Sequence, residues 1–320
     1  MTVDARPPIG IIGAGSIGVA FSIVFARAGF SVRVWDAVPD ALPRAHTELI
    51  RRLDLLELSA DVGERISFEP DLPRALADVA LVQECAPERL EVKREVISRL
   101  AVAAPGRAVL ASSSSALLPT DISAELDDAA ASRVVVAHPG NPPYLIPVIE
   151  LVGGERTSDE TMDRAMQIYR EAALRPVHIR REIDGFVFNR LQGAVLREAY
   201  CLVRDGVASV EDVDEVMRSG LGRRWSIIGP FETVDLNTRG GIASHAEKMG
   251  PTYEAMGAQR GQHDPWTPDL VAEVEAQRRA LLHLEDWEAR ARWRDEQLAR
   301  LAPIWDSIRE PSDNDTGVHQ

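Results

Sequence analysis

Gly13, Gly15 and Gly18 follow directly on the apolar run Ile9 to Ile12, and an acid, Asp36, stands 23 residues after the first of these glycines. Each glycine answers a different need: Gly13 permits a tight turn, Gly15 lets the backbone approach a pyrophosphate, and Gly18 lets a helix pack close to a strand. Residues from Ser16 to about Ala28 read as that helix, whose unpaired amides and partial positive charge would face a phosphate. Ser31 to Trp35 reads as a second strand and delivers Asp36, a carboxylate able to accept hydrogen bonds from a ribose diol. A carboxylate there repels a 2′-phosphate, and Ala37 and Val38 supply no cation to hold one, so the pattern favours NAD over NADP. Gly13, Gly15, Ser16, Ile17, Gly18 and Asp36 are therefore the first candidate cofactor residues.

Strands and helices alternate from residue 8 to about 180, the pattern of a doubly wound α/β sheet. Val79 to Cys85 is a nearly continuous apolar run, as in a buried parallel strand. Pro87 to Leu100 reads as a helix opening with Glu88 and containing Lys93. Val109 to Ala111 is a strand ending in four serines, the last of them Ser115, and Arg133 to Ala137 is a strand ending on His138. His138 to Pro147, with four prolines in ten residues, reads as a stiff extended loop. Val148 to Val152 carries Glu150, and Thr157 with Glu160 reads as a capping box for the next helix. From Asp184 the strands stop. Phe186 to Asp205 is a long helix, apolar on all sides, followed by helices from Val210, about Pro230 and Pro268, with a disordered tail from about residue 310. The expected domains are 1–184, a Rossmann-type NAD-binding sheet, and 185–320, all helical.

Ligands of open parallel sheets sit at the carboxyl ends of the strands, so Asp36, Ser115 and His138 are the leading polar candidates. His138, Ser115 and Glu150 each have a plain structural alternative: a hydrogen-bonded histidine, a turn satisfied by hydroxyls and an edge-strand acid.

A net charge of −14, from 36 basic and 50 acidic residues, argues against nucleic acid or an anionic membrane as partner. The two cysteines, Cys85 and Cys201, form no metal or redox motif and fit a reducing cytoplasm. No metal site is expected. The uncharged stretch Pro7 to Ala26 is broken by glycines and a proline pair, which argues against a membrane span.

Together, GAGSIG, Asp36, SSSSALLP, HPGNPPYLIPVIELV and DGFVFNRL resemble the 3-hydroxyacyl-CoA dehydrogenase family over residues 8 to about 235. GLGRRWSIIGPFETVDLN and WRDEQLARL are most similar to its branch containing lambda-crystallin and L-gulonate 3-dehydrogenase. The resemblance implies that His138 is the general acid/base and Glu150 its orienting carboxylate. It implies that Ser115 and Asn189 contact substrate and that Glu88 and Lys93 are further NAD contacts. This suits the chemistry: removing hydride from a secondary alcohol requires loss of its proton, and an imidazole titrates near neutrality.

Two features lean away from a CoA thioester. Where acyl-CoA members carry a lysine-rich helical extension, the segment between Asp36 and Val79 contains no lysine, although arginines 44, 51, 52, 65 and 74 can meet phosphates. Arg224, within Gly220 to Trp225, aligns with an arginine of the gulonate and carnitine-type branches and can grip a free carboxylate with two hydrogen bonds. The expected substrate is a free L-3-hydroxy acid such as L-gulonate, with 3-hydroxyacyl-CoA as the alternative. L-Carnitine or a crystallin-like protein of little turnover is a weaker reading. The apolar helix and tryptophans of the second domain suggest a homodimer.

Overall fold

The computed structural model describes residues 6–261 apart from 39, 227–228, 232 and 234–240, together with scattered positions from 269 to 304. The helix expected from Pro268 and the tail from about 310 lie largely or wholly outside the described residues, as does most of the helix expected from Pro230. The chain forms two compact units, Met1–Arg190 and Leu191–Gln320.

The first unit is built on one eight-stranded sheet: β1 Ile9–Ile12, β2 Val32–Trp35, β3 Ile66–Phe68, β4 Leu81–Glu84, β5 Val109–Ser112, β6 Val134–Pro139, β7 Val148–Gly153 and β8 Arg175–Ile179. Their order is β3-β2-β1-β4-β5-β6-β7-β8. Every neighbouring pair is parallel except β6 and β7, which run antiparallel. The reversal of order beside β1, between β2 and β4, opens a crevice at the carboxyl ends of the strands, where the glycine turn lies.

Eight helices flank and connect these strands: α1 Ser16–Arg27, α2 Ala41–Leu55, α3 Ala60–Glu64, α4 Leu72–Ala75, α5 Leu90–Ala103, α6 Pro119–Ile122, α7 Asp128–Ala131 and α8 Asp159–Glu171. Phe21, Ile23 and Phe25 of α1 and Tyr169 of α8 pack on one face of the sheet with Ile11 and Leu81. Ile97 and Leu100 of α5 and Ile122 of α6 cover the other, against Ile12, Val82 and Leu110. Both faces of the parallel strands are thereby buried, which explains their near-continuous apolar sequences.

Then follow α9 Phe188–Arg204, α10 Val210–Val216, a π turn at Met217–Leu221, α11 Gly222–Trp225 and α12 Gly241–Arg260.

Several local expectations are corrected. The strand carrying His138 continues to Pro139, so the proline loop starts later, and His138 pairs with Glu150 in an antiparallel ladder. Glu150 lies on an interior strand, between β6 and β8, rather than at an edge. The helix expected from Pro87 begins at Leu90, because Arg89 is extended, which leaves Glu88 in the preceding turn. The cap of α8 is Ser158, whose hydroxyl accepts from the Thr161 amide, while Thr157 donates instead to the Val134 carbonyl at 2.6 Å. Helix α9 is not enclosed on all sides: Cys201 and Val203 are buried, but Leu191 and Leu196 are exposed.

Candidate active site

The glycine turn is shaped by close backbone contact. Gly13 has φ of 105°, and a Cβ there would lie 2.7 Å from the Cys85 carbonyl oxygen; a Cβ on Gly18 would lie 1.9 Å from the Gly13 oxygen. Any larger residue at either position would break the turn. Gly15 differs, since a Cβ there would meet no protein atom within 4 Å, and its φ of −74° is open to any residue. The space beside it suits a ligand drawn close to the backbone. The first turn of α1 carries no acid and no side-chain cap, so its amides and partial positive charge are uncompensated. Asp36 closes the turn from β2: one carboxylate oxygen accepts from the Ala14 amide at 2.7 Å, the other from the Val38 amide at 2.8 Å. Each oxygen keeps lone-pair capacity for a ribose hydroxyl.

The ends of β4 and β5 carry a buried charge cluster. Glu84 is fully buried and sits level with Ile12 on one side and Ser112 on the other. It accepts from the Lys93 ammonium at 3.0 Å through both oxygens, and from the Ser112 hydroxyl and Ala86 amide. Lys93 is only 1 % exposed, and its ammonium also lies 3.5 Å from Glu88. It is therefore no surface lysine. Glu88 in turn accepts from the Ser114 hydroxyl at 2.6 Å and from the amides of Ser115 and Ala116 at 2.9 and 3.1 Å. Desolvation works against its ionisation, but the Ser114 bond, the Lys93 charge and the two amides prevail and hold its carboxyl below the ordinary value. Glu84, Ser112 and Ser114 were not singled out from sequence, because a carboxylate next to Gln83 at a strand end carries no distinctive signal.

On β6, His138 lies 6 % exposed, with Nδ1 at 2.8 Å from the Glu150 carboxylate. The second oxygen of Glu150 accepts from the amides of Val187 and Phe188, each at 2.8 Å. These amides are presented by a turn in which Gly185 and Phe186 have φ of 74° and 50°. A left-handed phenylalanine is costly, and structure of this kind concentrates at functional sites. Phe186 is fully buried and packs on the His138 ring, with centroids 5.6 Å apart; Phe188 packs on it at 6.1 Å. One residue further on, the Asn189 amide donates to the Ser115 carbonyl at 2.8 Å.

His138, Glu150, Asn189, Ser115, Glu88 and Lys93 thus form one connected constellation at the carboxyl ends of β4, β5 and β6. Asn189 belongs to the first unit with them. Arg224 lies exposed on α11 of the second unit. Among the described residues no group of acids, cysteines and histidines is placed to hold a metal ion, and no helix is long and apolar enough to cross a membrane.

A glycine turn with ligand space at Gly15, an acid at the end of β2 and a carboxylate-backed histidine define an NAD-dependent oxidoreductase acting on CH–OH groups. The chain belongs to the 3-hydroxyacyl-CoA dehydrogenase family: residues 8–183 match its NAD binding domain and residues 185–282 its C-terminal domain. It is 38 % identical over 308 residues to a lambda-crystallin homolog of Bos taurus, covering 92 % of this chain and 95 % of that one. It is also 38 % identical over 277 residues to an L-carnitine dehydrogenase of Streptomyces coelicolor, covering 83 % of each. Among solved structures, an NAD+-dependent 5-formyl-3-hydroxy-2-methylpyridine 4-carboxylic acid 5-dehydrogenase superposes with a TM-score of 0.80 at 27 % identity, over 95 % of this chain and 99 % of that one.

Proposed function

We propose that the chain oxidises the C3 hydroxyl of a free L-3-hydroxy acid to the ketone, with L-gulonate as the leading substrate. The observation that carries the chemistry is the His138–Glu150 pair at 2.8 Å, buried beneath two backbone amides. With Nδ1 committed to the carboxylate, Nε2 is the nitrogen left to take the hydroxyl proton, and Glu150 stabilises the imidazolium that results. NAD, when bound, accepts the hydride. Gly13, Gly15, Ser16, Ile17, Gly18 and Asp36 hold the dinucleotide, with Glu88 beyond the end of β4 beside them and the buried Lys93, in the first turn of α5, acting on the site through Glu84 and Glu88 rather than by direct contact. The Ser115 hydroxyl and the Asn189 amide hydrogen-bond the substrate oxygen as charge builds on it.

The choice of a free acid rests on Arg224 as a carboxylate clamp and on the lysine-free segment after Asp36. It is favoured by relatives whose names describe free carboxylic acids, the carnitine and pyridine-carboxylate enzymes. A second reading, L-carnitine itself, draws on the 38 % identity to the carnitine enzymes. A homodimer through the second unit is supported by an apolar groove of about 330 Å³ lined by Val195, Ala199, Leu202, Val213, Val216 and Met217. Neither Cys85 nor Cys201 is held in a disulfide, which suits a cytoplasmic site.

The test is NADH formation from NAD with L-gulonate, L-3-hydroxybutyrate, L-carnitine and L-3-hydroxybutyryl-CoA, in the wild type and Arg224→Met. Turnover of L-gulonate with a KM raised roughly tenfold or more in Arg224→Met is expected, the loss of a charged hydrogen-bonding partner. Turnover of the CoA thioester alone, unaffected by Arg224→Met, would sink the free-acid reading. Turnover of L-carnitine alone would move the assignment to the second reading.

A further inference from the structure

Arg52 stands in an unusual position. The inward face of α2 is Ala45, Leu49 and Arg52, so a guanidinium occupies the third place of an apolar stripe and is only 7 % exposed. Its carboxylate partner, Glu48 at 2.7 Å, also binds Arg51, leaving the three side chains with a net positive charge. Glu48 and Arg51 stay partly exposed, so Arg52 alone is buried, and burying a guanidinium is a poor route to stability because desolvation offsets the Coulomb gain. The guanidinium instead reaches across to the glycine turn: Nη1 donates to the Ser16 carbonyl at 2.8 Å, and Nη2 to the Ser16 hydroxyl oxygen at 2.7 Å. The same group lies 5.8 Å from the centroid of the Tyr144 ring, which walls it in.

This geometry fixes what Ser16 can do. Its hydroxyl oxygen accepts from Arg52, so its proton is turned away from the guanidinium. Ser16 is itself exposed, at the first position of α1 and next to the open space at Gly15. The hydroxyl caps nothing in α1 and is left to donate outward.

We propose that Arg52 is a positioning residue for the dinucleotide's pyrophosphate: it holds the Ser16 hydroxyl as an outward donor and adds a buried positive charge behind the turn. The arginine acts through Ser16, from a helix well separated in sequence from the glycine motif. It complements the partial charge of α1 where that helix carries no charged side chain in its first turn.

The experiment measures binding to the full-length chain of NADH, ADP-ribose and adenosine, for wild type, Arg52→Met, Arg52→Lys, Ser16→Ala and the double variant Ser16→Ala/Arg52→Met. In Arg52→Met the affinities for NADH and ADP-ribose are expected to fall together by roughly tenfold to a hundredfold, the scale of a hydrogen bond to a charged group. Adenosine, which lacks phosphate, is expected to bind unchanged. Ser16→Ala should lose a similar factor, the double variant should lose little more than either, and Arg52→Lys should recover part of the loss. Wild-type ADP-ribose affinity in Arg52→Met overturns the proposal, as do equal losses for all three ligands, which mark a collapsed site, or losses that simply multiply in the double variant. Ser16→Ala decides the matter if Arg52→Met does not fold, because Ser16 is exposed; unchanged ADP-ribose binding there also overturns it.

Discussion

Replacing Glu150 by Gln separates a catalytic carboxylate from a structural one. In the native site one oxygen accepts two amide hydrogens, from Val187 and Phe188, and the other accepts from His138 Nδ1, all at 2.8 Å. A glutamine of the same shape must turn its carbonyl oxygen to the two amides. The opposite orientation would set an NH2 group against two N–H donors and leave both unsatisfied, at about 1–3 kcal/mol each. The glutamine NH2 therefore faces Nδ1, which must become an acceptor, and the imidazole proton moves to Nε2. A neutral ring protonated at Nε2 cannot take the substrate proton. General-base assistance is worth roughly 10²- to 10⁴-fold, or about 3–5 kcal/mol of barrier at 1.36 kcal/mol per decade. The expected result is a kcat lower by that factor, with NADH affinity near wild type because the glycine turn is untouched, and a folded protein because the amide bonds survive. Steady-state kinetics, NADH fluorescence titration, thermal melting and the ¹⁵N shifts of the His138 ring give the readouts. A folded Glu150→Gln variant that keeps kcat within about threefold of wild type, with the proton at Nε2, would refute the reasoning.

Gly15→Ala should cost about 1 kcal/mol or less in thermal stability, the scale of a changed cap, yet weaken NADH binding; Gly18→Ala, whose Cβ would meet the Gly13 oxygen at 1.9 Å, should destabilise the fold itself. Equal effects of the two on melting would contradict the assignment of open ligand space to Gly15. Asp36→Ala should weaken NAD and improve the relative use of NADP, measured as a ratio of kcat/KM values, and an unchanged ratio removes Asp36 from the ribose site. Because Glu88 is held below its ordinary value, its contribution to stability is present above the usual carboxylate range, near pH 4.3, and is lost as pH falls through the depressed value. The difference in melting temperature between wild type and Glu88→Gln should accordingly be constant near neutrality and shrink in acid; a difference independent of pH would count against the Ser114 and Lys93 contacts. Burial and the neighbouring Glu84 carboxylate push the Cys85 thiol up to about 12, so iodoacetamide should label it slowly in the native protein at neutral pH. Rapid labelling before unfolding would show that Cys85 is not held in that environment.

The glycine turn and its acid were legible in sequence because they are local. The turn needs glycine within six residues, and the next strand in sequence, which pairs directly with the first, delivers Asp36 to it. The helical second half was legible from the end of the alternating pattern. His138 and Glu150 were visible as residue types, but only the antiparallel pairing of β6 with β7 sets them opposite one another, and only the left-handed Phe186 turns two amides onto Glu150. Apart from the family resemblance Lys93 reads in sequence as an ordinary helix lysine, and Arg52 as one of five arginines in the lysine-free segment after Asp36. The tertiary structure buries both, because the face each side chain occupies depends on which strand end or helix terminus its element packs against. Glu84 is silent in sequence for the same reason. A carboxylate in a buried strand acquires meaning only when the parallel register brings Ser112 beside it and α5 lays Lys93 over it.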